Sequence, residues 1–163
     1  MAEIKLIRID YRLVHGQVAT QWVRLSGANR IVVANDELAA DSFMADIYRM
    51  AAPQGIRVDI KSVAEFCESW RTDECGAGKL LVIFKNFDDA MRAYEDGFTC
   101  EDIQIGNLGG GGERVPAPCG VTFDAHDVEL ARKLIASGVH VHIQVVPSSS
   151  DLEFEKAING LNL

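Results

Sequence analysis

The chain has 163 residues, of which 48% are hydrophobic and 25% are charged, an ordinary composition for one globular domain with one core. The formal net charge of −8 argues against a nucleic-acid partner, because binding to a polyphosphate backbone normally depends on clustered lysines and arginines. The longest apolar runs are strand-sized, whereas a membrane-spanning helix needs about 20 apolar residues, so we expect no direct membrane insertion.

Short apolar runs alternate with amphipathic stretches along the chain, a pattern that favours repeated βα units feeding a mostly parallel sheet. We therefore predict a single α/β domain over residues 1–163, with a sheet of about six strands. The predicted strands are residues 3–9, 30–34, 56–61, 79–84, 102–106 and 139–145, which are rich in Val, Ile and Leu.

Amphipathic segments between these strands predict the helices. They are residues 17–25, 38–51, a third beginning after Ser62, then 86–97 and 126–137, with a last one in the tail at 150–159. In the first helix, Val18, Trp22 and Leu25 form one stripe that should face the sheet, and Gly27 follows where a helix C-cap often lies. Ser62 and Glu65 have the spacing of a capping box.

The one long irregular stretch covers residues 107–120 and contains four consecutive glycines at 109–112. It lacks the spacing of a P-loop and of a dinucleotide-binding fingerprint, so a nucleotide-binding enzyme is only a minor alternative. A flexible surface connection is the main interpretation, and a lid or a partner-docking loop is the other.

The turn after the first strand, residues 10–17, carries the side chains with the clearest chemistry. It places a carboxylate, a guanidinium and an imidazole just before a helix N-terminus, at the edge of the sheet where ligands bind in open parallel folds. His15 can attack phosphorus as a neutral imidazole, and Arg12 can hold the equatorial oxygens of a transferring phosphoryl group. Gly16 allows the amides of Gly16 and Gln17 to approach a phosphate closely. Asp10 either orients Arg12 or fixes the tautomer of His15.

Other predicted strands also end in polar side chains at this edge of the sheet. Asp36 follows the second strand and Lys85 follows the fourth, and both are candidates for supporting contacts with a phosphate.

Residues 8–18, read as RIDYRLVHGQV with Trp22 behind them, resemble the active-site loop of the IIB subunits of the mannose, fructose and sorbose family of sugar phosphotransferase systems, which includes N-acetylgalactosamine types. Further stretches, at 31–36, 51–53, 55–62, 106–107 and 138–147, resemble family segments in the same order. The resemblance therefore covers nearly the whole chain.

This resemblance implies a three-layer α/β/α fold and a phosphohistidine carrier. His15 would accept a phosphoryl group, at Nδ1, from a IIA component and pass it to a sugar during uptake through membrane IIC and IID subunits, as a protein-Nπ-phosphohistidine–sugar phosphotransferase. Arg12 matches the family's phosphate-contacting arginine, and Asp10, Gly16, Gln17 and Asp36 would support the phosphate. Such a relay needs no metal and no organic cofactor.

Two departures from the family pattern bear on partner choice. Tyr11 stands where many members have a second aspartate, and the four-glycine stretch is unusual. An alternative function is a regulatory module of the same fold, in which phosphorylation of His15 signals a state without transfer to sugar. The identity of the sugar and the oligomeric state stay open.

The four cysteines and the three histidines other than His15 are not expected to form a functional site. Four widely spaced cysteines without a C-x-x-C pair are typical of free thiols in a reducing compartment, and the N-terminus lacks a secretory pattern, so we expect a cytoplasmic location. His126, His140 and His142 could imitate a metal set, but no carboxylate or cysteine stands at a matching spacing, so we predict no metal site.

Overall fold

The computed structural model describes residues 2–73 and 75–163, and it describes residues 17 and 18 by their backbone only. The strands are β1 (Ala2–Asp10), β2 (Arg30–Ala34), β3 (Arg57–Lys61), β4 (Gly78–Phe84), β5 (Asp102–Asn107), β6 (Val115–Pro116), β7 (Thr122–Phe123), β8 (His140–Ile143) and β9 (Leu152–Glu153). The helices are α1 (Gly16–Ser26), α2 (Asp36–Ala39), α3 (Ser42–Met50), α4 (Val63–Asp73), α5 (Phe87–Glu95), α6 (Ala125–Ala136) and α7 (Phe154–Ala157).

Within the described residues, the main sheet has seven strands in the order β3-β2-β4-β1-β5-β8-β9. All neighbouring pairs are parallel except β8 and β9, which are antiparallel. β1 lies between β4 and β5, so its carboxyl end opens at the middle of one edge of the sheet. A separate two-stranded hairpin joins β6 to β7.

Apolar side chains bury both faces of the central strands, which explains why these strands are almost continuously hydrophobic. One face packs against an aromatic group in which the Phe66 and Phe98 ring centroids are 4.7 Å apart. The other face packs against α1 and α3 through residues such as Trp22, Ile31 and Val33. The predicted α/β/α layering is confirmed.

Local capping signals in the sequence are confirmed as well. Gly27 ends α1 in the left-handed conformation at φ 76°, and its amide donates to the Val23 carbonyl. Ser62 and Glu65 exchange side-chain to backbone hydrogen bonds of 3.1 and 2.8 Å at the start of α4. Both motifs satisfy backbone groups that a helix end leaves without partners.

Three boundary predictions are wrong for identifiable reasons. The predicted helix at 38–51 is two helices, because the Asp41 side chain accepts from the Met44 amide and starts α3 anew. The predicted last strand ends at Ile143 because the carbonyls of Gln144 and Val145 accept hydrogen bonds from Arg8. The tail contributes β9 before its short helix, an edge strand too short to show a period in the sequence.

The predicted inward stripe of the first helix is wrong at one position. Trp22 is buried, but Leu25 is 59% exposed. The side chain of Val18 lies outside the described residues. Among the described residues, no helix combines the length and apolar character needed to cross a membrane.

Candidate functional site

The carboxyl end of β1 leads through a tight turn into α1. β1 ends at Asp10, and α1 begins at Gly16 with His15 as its N-cap, whose side chain makes no capping hydrogen bond. The first helical hydrogen bond joins the Ala19 amide to the His15 carbonyl at 3.2 Å, so the earlier N–H groups of this turn have no acceptor inside the helix. These N–H groups and the positive end of the helix dipole favour an anion beside His15.

Buried side chains hold this turn in an uncommon conformation. Leu13 adopts φ 59°, a left-handed geometry that non-glycine residues rarely take, and its amide donates to the Asp10 carbonyl at 2.9 Å. The Leu13 and Val14 side chains are 4% and 1% exposed, so burial in the core offsets the local strain. Gly16 also has a positive φ, 42°, at the first position of the helix. The buried Leu13 and Val14 side chains therefore anchor the turn that carries His15.

Asp10 fixes the orientation of the His15 ring. Its Oδ2 lies 3.2 Å from His15 Nε2 and accepts from Arg8 Nε at 3.3 Å, while its Oδ1 accepts from the Arg12 backbone amide at 3.0 Å. Every group facing this carboxylate is a donor, so the proton of a neutral His15 sits on Nε2 and Nδ1 keeps its lone pair. Of the two roles expected for Asp10, the geometry favours the one on His15, because Asp10 contacts only the backbone of Arg12.

Arg8 pairs with Asp10 on the side of the core. Its buried guanidinium donates to the Gln144 and Val145 carbonyls at 2.9 and 2.7 Å and lies 4.9 Å from the centroid of the Trp22 ring. Burial lowers the pKa of Arg8, and the Asp10 carboxylate opposes that shift. The result is a buried ion pair directly beneath His15, which holds the Asp10 carboxylate in place.

The His15 ring is 18% exposed and lines a depression of about 350 Å³ at the surface. The residues around it are Tyr11, Arg12, Val14, His15, Tyr48 and Lys85. Arg12 is exposed, and Lys85 Nζ lies 4.9 Å from the centre of the Tyr11 ring and 3.7 Å from a Glu37 carboxylate oxygen. Two cations therefore flank the imidazole at a surface that a phosphate can reach.

Among the sequence-predicted site residues, the structure brings together Asp10, Arg12, His15 and Gly16. The side chain of Gln17 lies outside the described residues, so only the position of its backbone in the first turn of α1 is given.

Asp36 does not join this group. One of its carboxylate oxygens accepts from the Val63 amide and the other from Arg92, both at 2.9 Å, so it links α2 to α4 and α5. The hydrogen bond from Val63 and the ion pair with Arg92 lower the pKa of Asp36. These contacts give Asp36 a role between helices, outside the residues that line the depression.

Sequence reasoning included Arg8 in the matched loop at 8–18 without giving it a role, and it did not identify Tyr48. Arg8 lies within a strand whose other residues indicate burial, and only the fold shows that it pairs with Asp10. Tyr48 comes from α3, and its spacing from the turn at residues 10–17 carries no signal. Lys85 was a candidate from the sequence because it follows the fourth predicted strand. In the fold that strand, β4, pairs with β1.

The glycine-rich segment contacts the Tyr11 ring, which lines the depression beside His15. The Gly109 backbone lies so close to the Tyr11 ring that an added Cβ would be 3.2 Å from it. The Gly109 amide donates to the Asn107 side chain at 2.8 Å, and the Gly109 carbonyl accepts from the Thr122 hydroxyl at 2.7 Å. These bonds and the β6–β7 hairpin hold Gly109 and residues 115–116 against the fold, and a flexible connection stays a prediction for the residues between them.

The fold and this turn define a class of protein. It is an α/β domain that presents a nucleophilic imidazole, two cations and a helix N-terminus at the carboxyl edge of a parallel sheet, an arrangement suited to handling an anionic group.

Residues 4–162 match the family model of the PTS system sorbose subfamily IIB component. The chain belongs to this family, whose members are phosphotransferases that act in sugar uptake.

Individual relatives agree with the family match. The N-acetylgalactosamine-specific phosphotransferase enzyme IIB component 2 of Escherichia coli K12 is 30% identical, over 97% of this chain and 100% of that protein. The mannose-specific EIIAB component of the same strain is 28% identical over 98% of this chain but 49% of its own length, so the chain spans about half the length of this relative.

Solved structures confirm the fold. The crystal structure of manxB from Thermoanaerobacter tengcongensis has a TM-score of 0.92 at 30% identity, covering 100% of this chain and 99% of that one. The IIBSor domain of the sorbose permease from Klebsiella pneumoniae has a TM-score of 0.89 at 28% identity, with 96% of each chain covered.

Proposed function

We propose that the protein carries a phosphoryl group on His15 Nδ1, accepts it from a IIA component and passes it to a sugar that enters through membrane IIC and IID subunits. In this role it is a protein-Nπ-phosphohistidine–sugar phosphotransferase that works as one domain in the cytoplasm. The observation that carries the proposal is the contact between His15 Nε2 and Asp10, which leaves Nδ1 as the free nucleophilic nitrogen.

The proposed transfer conserves atoms and charge. The lone pair of His15 Nδ1 attacks the phosphorus of a phosphohistidine on the donor, a new N–P bond forms, and the donor's N–P bond breaks as its imidazole leaves. The Nε2 proton stays on His15, where the Asp10 carboxylate stabilises the positive charge that the ring acquires as Nδ1 bonds to phosphorus. In the second step a sugar hydroxyl oxygen attacks the same phosphorus and forms an O–P bond, while the His15 Nδ1–P bond breaks and its electron pair returns to Nδ1. The hydroxyl proton passes to water, and neutral His15 is restored.

Charge around the depression supports the transition state. The Arg12 guanidinium can bind two equatorial oxygens of the transferring group, and Lys85 adds a second positive charge across the depression. The free N–H groups of the first turn of α1 stand beside the same oxygens. The Asp10 contacts and the buried Leu13 and Val14 side chains hold the His15 ring and the backbone of the turn in place before the donor arrives, which reduces the reorganisation that transfer requires.

The test is transfer of labelled phosphate from phosphoenolpyruvate through the general phosphotransferase proteins and a IIA donor. The wild type should acquire an acid-labile label, and His15→Ala should acquire none. His126→Ala is the matched control, because His126 is an exposed histidine paired with Asp88 on another part of the surface, and this variant should label normally.

Arg12 variants test the electrostatic part of the proposal. Arg12→Ala should fold and accept phosphate about 100-fold more slowly, and Arg12→Lys should lie between it and the wild type, because lysine keeps the charge but loses the fork. A labelled His15→Ala protein would overturn the proposed carrier. Acceptance by Arg12→Ala at the wild-type rate would remove Arg12 from the transfer.

A chase separates sugar transfer from a purely regulatory role. Labelled protein is added to membranes that contain IIC and IID subunits, with and without sugar. Sugar-dependent loss of the label with appearance of sugar phosphate supports the carrier function, whereas a label that is stable to every sugar offered favours the regulatory module.

A further inference from the structure

Two histidines and three carboxylates form a cluster at the start of β5 and β8. Asp102 is the register partner of His140 in the parallel pair β5–β8, and His140 and His142 project from the same face of β8. Their rings are stacked, with centroids 4.8 Å apart and an angle of 9° between the planes. Asp102 bridges both rings, because its two oxygens lie 2.6 Å from His140 Nδ1 and 2.9 Å from His142 Nε2.

The outer nitrogen of each ring has its own carboxylate. His140 Nε2 lies 2.7 Å from a Glu153 oxygen, and His142 Nδ1 lies 2.6 Å from an Asp151 oxygen. Both partners come from the segment that forms β9, the antiparallel edge strand. Each imidazole therefore directs one nitrogen to a shared point at Asp102, while a separate carboxylate orients it from behind. Metal-binding histidines in proteins commonly have this carboxylate–histidine arrangement.

We propose that this cluster is a binding site for a divalent transition-metal cation of the Zn²⁺ class, with Asp102, His140 Nδ1 and His142 Nε2 as protein ligands. One ligand atom from each of these residues lies within 4.8 Å of the others. Asp102 and His140 are exposed, so water completes the coordination shell, while His142 is buried and anchors the site to the sheet. Two imidazole nitrogens select Zn²⁺, Co²⁺ or Ni²⁺ over Mg²⁺ and Ca²⁺, which prefer oxygen ligands.

The spacing of the ligand atoms suits a metal ion after a small adjustment. Tetrahedral ligands about 2.1 Å from Zn²⁺ are about 3.4 Å apart. The Asp102 contacts of 2.6 and 2.9 Å must lengthen by less than about 1 Å, and the widest pair of ligand atoms, within 4.8 Å, must close by up to about 1.4 Å.

Sequence reasoning missed this site because the histidines and carboxylates are far apart along the chain. The prediction of no metal site rested on the lack of a carboxylate at matching spacing, and the fold supplies three, from positions 102, 151 and 153. The cluster is also remote from His15. Asp102 begins β5 and Asn107, the register partner of Asp10, ends it, which separates the two sites by about 17 Å along the strand.

The test is Zn²⁺ binding to the full chain after treatment with a chelator, measured by competition with a chromogenic chelator. We expect one Zn²⁺ per chain with a dissociation constant in the micromolar range or below. His140→Ala and Asp102→Asn change exposed residues and should weaken binding at least 100-fold, whereas Glu153→Gln should weaken it about tenfold because Glu153 only orients His140. His126→Ala, the matched exposed histidine, should bind as the wild type does.

A second measurement separates this site from the cysteines. Bound Co²⁺ should give a visible spectrum without a thiolate-to-metal band, and millimolar Mg²⁺ should not displace it. The proposal is overturned if the wild type binds no Zn²⁺, if His140→Ala and Asp102→Asn bind it as the wild type does, or if the Co²⁺ spectrum shows thiolate ligands. His15→Ala should leave the affinity unchanged, so failure of the phosphocarrier proposal would not affect this result.

Discussion

At the scale of single residues, the site depends on a carboxylate that is buried between two kinds of donor. Asp10 is 2% exposed and receives hydrogen bonds from the buried Arg8 and the partly exposed His15. Arg8 pairs with Asp10 from the core side and holds its carboxylate in place. The orientation of the His15 ring is thus set by contacts that reach across the sheet to Gln144 and Val145.

Asp10→Asn should leave the His15 ring in place but no longer fix its proton on Nε2. The amide is nearly isosteric but lacks the charge that holds the Nε2 proton, so phosphate acceptance should fall about 10- to 100-fold. The ¹⁵N chemical shifts of the His15 ring should report one tautomer, protonated at Nε2, in the wild type and a mixture in the variant. Asp46→Asn, on the exposed face of α3, is the control and should change neither. A variant that keeps both the wild-type rate and the single tautomer would contradict the role given to Asp10.

At the scale of elements, the sequence predicted what is local and missed what the fold brings together. Asp10, Arg12 and His15 lie within six residues, so one turn places them together, and motif reasoning found all three. Tyr48 and Arg8 reach the site only through the packing of α3 and the pairing across the sheet. Asp36 follows the end of a strand as predicted, but the sequence did not indicate that its carboxylate would bind the Val63 amide and Arg92.

The glycine-rich segment can be tested with a matched pair of substitutions. Gly109 and Gly111 both have positive φ, 95° and 82°, but an added Cβ meets the Tyr11 ring only at Gly109. Each change to alanine should cost about 1 kcal/mol of unfolding free energy through backbone strain. Gly109→Ala should also displace Tyr11, which shares its face with Lys85, and slow phosphate acceptance several-fold. Equal rates for the two variants in the IIA-dependent labelling assay would show that the Tyr11 contact is unimportant for transfer.

At the scale of the whole molecule, two groups of polar side chains lie at opposite ends of the strands of the sheet. The carboxyl ends of the strands carry the candidate site on β1, and the amino ends carry the histidine–carboxylate cluster on β5 and β8. The C-terminal segment lies beside this cluster, because β9 pairs with β8 at the side of the sheet. The helix that follows β9 buries Phe154. This segment contributes Phe154 and Ala157 to the core, whereas the sequence predicted only a last helix at 150–159.

Phe154→Ala should therefore destabilise the entire domain. Phe154 is 1% exposed and packs edge-on against Phe123, with ring centroids 5.9 Å apart, so its removal should lower the free energy of unfolding by about 3–5 kcal/mol. Leu163→Ala, at a residue that is 42% exposed, should change it by less than about 0.5 kcal/mol. Chemical denaturation followed by circular dichroism and by tryptophan fluorescence measures both. If residues 1–163 form one cooperative unit, the two probes should shift together in Phe154→Ala; a shift in one probe alone would show that the tail folds as a separate unit.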